Sequence, residues 1–175
     1  PLQSGSDKVL QLMKRRYKRE LYKERVQKIK EIMPHACIGV DVIAGFPGET
    51  DEDFTDTYNF INSLDISYLH VFTFSERSGT EAATMNGKVP METRRERNTQ
   101  LTNLSLKKKF SFYSQFIGET RKVLVEKSKE LNVYTGFTDN YIKVKFISSA
   151  NLENKIINVD LQEIDGDYLM RGEVK

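Results

Sequence analysis

Cysteine, histidine and tryptophan are scarce: the 175 residues hold one Cys, two His and no Trp. The single thiol, Cys37, excludes an internal disulfide and suits a reducing, cytoplasmic setting. Together with His35 and His70 it falls short of the roughly four ligands that hold an iron–sulfur cluster, so no metal or cluster is expected on these residues. A small buried hydrophobe is the ordinary role of a lone cysteine. No apolar run approaches the roughly 18 residues that cross a bilayer, so no membrane helix is expected. The opening "PLQSGSDKVL" has neither the basic start nor the apolar core of a secretory signal. It also has no starting methionine, and a chain beginning in mid-sequence is expected.

What is present is 38% hydrophobic and 30% charged, a balance that suits one medium or two small globular domains. The net charge of +2 is unevenly spread: Lys8 to Lys30 carries ten Lys or Arg against two Glu. Lys88 to Lys109 carries seven basic residues against two acidic, and after Ile117 there are nine basic to ten acidic. Solvated helix faces account for most such runs.

The first two thirds alternate between helix and strand periods. Ser6 can cap a helix with Val9, Leu10, Met13 and Tyr17 on one face. Tyr22, Val26, Ile29 and Met33 mark a second helix, which Pro34 stops. "CIGVDVI" suits a strand buried on both sides, as in a parallel sheet. Thr50 and Asp53 form a capping-box start for a helix with Phe54, Tyr58, Ile61 and Leu64 on its apolar stripe. "SYLHVFTF" is a further strand, and a long helix is expected from about Met91 to Phe116. This order means βα units and a parallel sheet. After Gly118 the pattern turns all-β: "TRKVLVE", "VYTGFT", "YIKVKF", "KIINVDLQEI" and "DYLMRGEV" read as five short strands, the content of a small closed barrel.

Between the first strand and the next helix lies "DVIAGFPGETDEDF", Asp41 to Phe54. Loops leaving the carboxyl ends of parallel strands build ligand sites. Gly45 and Gly48 allow positive φ or close approach to a flat ligand, and Pro47 fixes the turn. A tight strand-to-helix turn would need the same residues.

Read in order, "PLQSGSDKVLQLMKRRY", "IGVDVIAGFPGETDEDF" and "FSERSGTEAA" resemble the carboxyl half of a radical S-adenosylmethionine barrel, closest to the methylthiotransferases. The all-β tail resembles the TRAM domain, a small OB-like RNA-binding barrel. The resemblance implies an α/β partial (β/α) barrel over residues 1–116 followed by a five-stranded β-barrel over 117–175. "GFTDNYIKV", Gly136 to Val144, looks most like the branch acting on N6-threonylcarbamoyladenosine at position 37 of tRNA. The isopentenyladenosine and ribosomal-protein branches, and a non-catalytic RNA-binding module, are the alternatives. Two departures stand out. The cluster-binding cysteines are absent, and Ser75 to Ala82 keeps the Arg and Gly-Thr of the family's "SPRPGTPA" loop but loses its prolines.

The resemblance implies S-adenosylmethionine and two 4Fe–4S clusters as cofactors of the whole enzyme, and the tRNA anticodon stem-loop as its partner. By resemblance, Gln3 and Asp41 would reach the ribose of S-adenosylmethionine and Arg15 its carboxylate, with Ile43, Gly45 and Phe46 along the adenine. No cluster is expected on this piece, which alone should be inactive. On the strand "YIKVKF", alternation puts Ile142, Val144 and Phe146 inward and Tyr141, Lys143 and Lys145 outward, the second set as RNA contacts. Half a barrel would leave open edges near Pro1 and at Tyr68 to Phe74, inviting an edge-paired homodimer.

Overall fold

In the computed structural model, which describes residues 1–127 and 130–175, the first helix is shorter than its periodicity predicts. α1 spans Asp7–Leu12, capped by Ser6. It stops because Lys14 turns to φ +55, with Lys14 N–H donating to Gln11 O and Arg15 N–H to Leu10 O. That is the Schellman pattern, with lysine where glycine is usual. Met13 and Tyr17 therefore lie outside the helix.

The chain divides into two compact units, Pro1–Lys107 and Lys108–Lys175. The first contains α2 (Arg19–Ile32), β1 (Gly39–Ala44), α3 (Asp51–Ser63), β2 (Tyr68–Thr73), α4 (Glu81–Thr84) and most of α5 (Met91–Ser114). β1 and β2 pair in parallel, Val40 opposite Leu69 and Val42 opposite Val71. On the other side of β1, Gln3 forms a single parallel bridge with Val42. Leu2, Val40, Val42, Ala44 and Leu69 pack with Val26, Phe54, Ile61, Leu101 and Leu104 of the helices. β1 is thus covered on one face only. Asp41 and Ile43 are half-buried, a correction to the strand buried on both sides that its apolar run suggests.

α3 opens on the expected capping box: Thr50 Oγ1 accepts from Asp53 N–H and Asp53 Oδ2 from Thr50 N–H. The outer edge of β2 is not the open border expected from the sequence. Ser105 Oγ accepts from Leu69 N–H (2.8 Å) and donates to Leu69 O (3.1 Å). Asn98 Nδ2 reaches Val71 O, and Arg94 Nη1 reaches Phe74 O at 2.9 Å. Side chains of α5 thus take up some of the backbone groups that an incoming strand would use, so this border is partly covered by the chain's own helix. Near Pro1, the Tyr17 hydroxyl donates to Pro1 O at 2.6 Å.

The second unit begins inside α5 rather than at Gly118, where composition changes. Phe112, Tyr113 and Phe116 are buried, and Tyr113 Oη accepts from Lys143 N–H at 3.0 Å. The strands are β3 (Thr120–Val125), β4 (Val133–Thr138), β5 (Lys143–Ile147), β6 (Ile156–Ile164) and β7 (Met170–Val174). They close a barrel in the order β3-β4-β5-β7-β6, parallel only between β5 and β7. Val123, Val125, Ile142, Val144, Phe146, Val159, Leu161 and Met170 fill it. Gly136 is needed there, since a Cβ would come within 2.4 Å of Leu124 O. Among the described residues no helix is long and apolar enough to cross a membrane.

Candidate functional site

Five of the six residues expected at a cofactor site lie on β1 or beside it, and Arg15 comes to them from the turn after α1. Gln3 N–H donates to Asp41 O and Ile43 N–H to Gln3 O, both at 2.9 Å. Gly45 follows β1 at φ +80. Phe46 is buried edge-on against Phe74, ring centroids 5.2 Å apart. Arg15, Ile43 and Phe46 line one cleft of about 250 Å³, completed by Leu12, Met13, Lys14, Glu81, Ala82 and Met85. Gln3, Asp41 and Gly45 are not among its lining residues. The Asp41 carboxylate lies near Tyr22, whose phenol burial pushes up, with Asp41 adding to the effect.

The bend after β1 is fastened from α5 by two arginines. Glu49 Oε1 accepts from Gly45 N–H (3.2 Å) and from Arg97 Nη1 (2.6 Å), and both side chains are almost wholly buried. Arg97 Nη2 reaches Asp51 Oδ1 at 2.6 Å. Burial pushes the Glu49 carboxyl up, opposed by Arg97 and the Gly45 N–H. Arg94 donates to Val89 O and Phe74 O and pairs with Glu76 at 2.7 Å. It also closes the space beside Gly45, where a Cβ would fall 2.3 Å from Arg94 Cγ. Gly48, at φ +85, donates to Gly87 O at 2.8 Å. Bend and following loop are thereby tied into one frame. Beside them, burial would raise the Asp53 carboxyl, but hydrogen bonds from Lys8, Thr50 and Ser6 outweigh it and hold the group at about 2.

In the second unit, Ile142, Val144 and Phe146 are buried while Tyr141, Lys143 and Lys145 reach solvent to differing degrees. The alternation holds, but the strand starts at Lys143 and Tyr141 belongs to the preceding turn. Lys143 and Lys145 stand opposite Phe137 and Thr135 across the β4–β5 register. Lys143 Nζ lies 5.2 Å from the Phe137 ring centroid and 3.6 Å from Glu126 Oε2.

Residues 1–61 match the Radical SAM superfamily. Threonylcarbamoyladenosine tRNA methylthiotransferase MtaB of Bacillus subtilis is 40% identical over 172 residues, 96% of this chain and 38% of the relative. The Aquifex aeolicus protein of the same name is 43% identical over 145 residues, 82% of this chain and 34% of its own length. A tRNA-2-methylthio-N(6)-dimethylallyladenosine synthase of Desulfitobacterium hafniense is 38% identical over 177 residues, 100% of this chain and 39% of the relative. The chain is related to the radical SAM methylthiotransferases. It spans well under half the length of these curated relatives.

For a radical SAM methylthiotransferase two groups need a place. The donor set does not fit an iron–sulfur cluster: Cys37 is the single cysteine, its thiol is pushed up by burial, and no group of three or more His, Cys, Asp or Glu among the described residues could hold a metal. S-adenosylmethionine fits better, since the cleft joins an exposed guanidinium to apolar Ile43 and Phe46. Reading the sequence missed the roles of Glu49, Arg94, Arg97 and Phe137. The arginines look like helix-surface cations, and only their spacing of three on α5 hinted at a shared target. Phe137 was legible as the outward neighbour of Lys143 once β4 and β5 were paired.

Proposed function

We propose that this chain is part of a tRNA methylthiotransferase that uses S-adenosylmethionine and two 4Fe–4S clusters, working on N6-threonylcarbamoyladenosine at position 37 of the anticodon stem-loop in the cytoplasm. One observation carries the reading. Arg15, remote in sequence from Ile43 and Phe46, lines one cleft with them beside a glycine bend, in a chain 40% identical along almost its whole length to a protein named for that activity. In this reading residues 1–116 are the carboxyl half of a (β/α) barrel and 117–175 a TRAM-like RNA-binding domain.

Arg15 is suited to the methionine carboxylate, because its planar fork makes paired contacts. Ile43 and Phe46 offer apolar surface to adenine; Gln3, Asp41 and Gly45, beside the cleft rather than in its lining, are assigned to the ribose hydroxyls and the close backbone approach by resemblance alone. S-adenosylmethionine would supply the radical chemistry and the methyl group, while this chain binds and orients. Without ligands for a cluster, the chain alone should not turn over. Tyr141, Lys143 and Lys145 are assigned to RNA, an aromatic with two cations suiting base and phosphate contact. The preference for threonylcarbamoyladenosine over dimethylallyladenosine rests on "GFTDNYIKV"; identities of 40% and 38% to the two kinds of relative do not separate them.

The gene that encodes this chain is to be expressed in a host lacking its own tRNA methylthiotransferases, and the tRNA nucleosides analysed by mass spectrometry. A 2-methylthio group on threonylcarbamoyladenosine is the expected product. Its appearance on isopentenyladenosine alone would move the chain to the sister branch, and its absence from both would reject the activity. Arg15→Ala and Asp41→Ala should each weaken S-adenosylmethionine binding in that protein; unchanged affinity would reduce the bend to a turn.

A further inference from the structure

The hairpin joining β4 to β5 carries an aromatic ring where its geometry asks for glycine. Thr138 N–H donates to Ile142 O (3.0 Å) and Tyr141 N–H to Thr138 O (3.1 Å), closing a connection of Asp139, Asn140 and Tyr141. In such three-residue loops the last residue takes the left-handed conformation, and glycine is the usual occupant. Here it is Tyr141, at φ +64 and 66% exposed. The loop is locked rather than slack. Thr138 Oγ1 donates to Asn140 Oδ1 (2.7 Å) and accepts from Ile142 N–H (2.9 Å), with both polar residues buried. Little packing offsets the strain of a ring so exposed, and strain of this kind collects at functional sites.

The surroundings name a ligand. The Tyr141 ring meets Phe137 with centroids 5.5 Å apart, and Lys143 Nζ lies 5.2 Å from the Phe137 centroid. Lys109 Nζ lies 5.2 Å from the ring of Tyr113, whose hydroxyl accepts from Lys143 N–H. Burial, and then the closeness of Lys143, push the Lys109 ammonium down, with Asp165 opposing. Lys143 has a partner in Glu126, but both are partly exposed, so the pair is weak and exchangeable. Aromatic faces with ammonium groups over or beside them match an unstacked base with its phosphates.

We propose that Tyr141 and Phe137 form a stacking platform for an unpaired nucleobase of single-stranded RNA, with Lys109 and Lys143 meeting the adjoining phosphates. This rests on the reading that the small barrel contacts RNA, and deepens it: paired bases keep their faces inside the helix, so the platform selects loops over duplex.

The test uses the whole chain with two RNAs of equal charge, a stem-loop and a full duplex, and reads affinity by fluorescence anisotropy. Tyr141→Gly and Phe137→Ala should each weaken stem-loop binding roughly 5- to 150-fold, the range of a lost base–aromatic stack, and leave duplex binding little changed. Tyr141→Gly should also keep or raise the melting temperature, because glycine accepts the left-handed backbone; a merely structural tyrosine would lose stability with affinity. Wild-type stem-loop affinity in Tyr141→Gly, or an equal loss on the duplex, overturns the platform. The RNA reading itself is separable: it stands if Lys143→Glu with Lys145→Glu weakens binding to both RNAs. A wild-type chain that binds neither RNA overturns platform and RNA reading together.

Discussion

Replacing Arg97 by methionine should destabilise the first unit by about 3–5 kcal/mol, the usual cost of stripping one partner from a buried ion pair. The worked terms are unequal. Methionine matches arginine in helix propensity, and Asp51 is 95% exposed, so that contact contributes at most about 1 kcal/mol. The guanidinium over Phe54, 5.4 Å from its centroid, adds about 0.5–1 kcal/mol. The rest is Glu49, whose side chain is 2% exposed and would be left charged without its cation. The pH dependence follows. Burial already raises the Glu49 carboxyl above its ordinary 4.5 and Arg97 opposes the rise, so the variant should raise it further. A folded-state value above the unfolded one means stability falls as pH rises through that interval. Urea unfolding followed by circular dichroism should therefore show a larger deficit at about pH 7.5 than at about pH 5. Glu49→Gln in the same chain should recover much of the loss. A deficit below about 1 kcal/mol, or one equal at both pH values, would refute the argument.

Gly45→Ala combines φ +80 with a Cβ placed 2.3 Å from Arg94 Cγ, whereas Gly79→Ala shares φ +80 with nothing within 4 Å. The first should cost about 2–4 kcal/mol and the second about 1 in the same unfolding assay; equal costs would mean Arg94 yields. Asp53, held at about 2 against an ordinary 3.8, contributes stability that is full above 3.8 and lost as pH falls toward 2. Asp53→Asn should remove about 1–2 kcal/mol at neutral pH and flatten that acid limb, read by unfolding at stepped pH.

The elements governed by local rules were legible in the sequence. Thr50 and Asp53 announced the α3 start, and alternation placed Ile142, Val144 and Phe146 inside the barrel. Legibility failed where a residue acted against its type. Lys14 ended α1 in a conformation that glycine usually takes, so Met13 and Tyr17 left the predicted face. Arg94 and Arg97 were counted as solvated cations, although each is buried against carboxylates or carbonyls brought from far along the chain. The cleft was half legible: composition marked a bend that suits a ligand loop or a tight turn alike, and the company that Arg15 keeps is decided by the turn after α1. Alternation marked Tyr141 as an outward aromatic, but its left-handed backbone in the turn needed a dihedral angle, which no alternation pattern carries.

The hydroxyl of Ser105 that seals β2 at Leu69 stands 36 residues later in the chain. At translation rates of about 5–20 residues per second, that separation lasts roughly 2–7 s. During this interval the strand emerges with its outer backbone groups unsealed, and α5 arrives from the ribosome as the stopper. The order of synthesis thus sets a brief window of aggregation risk at one strand, which closes when the middle of a single helix leaves the exit tunnel.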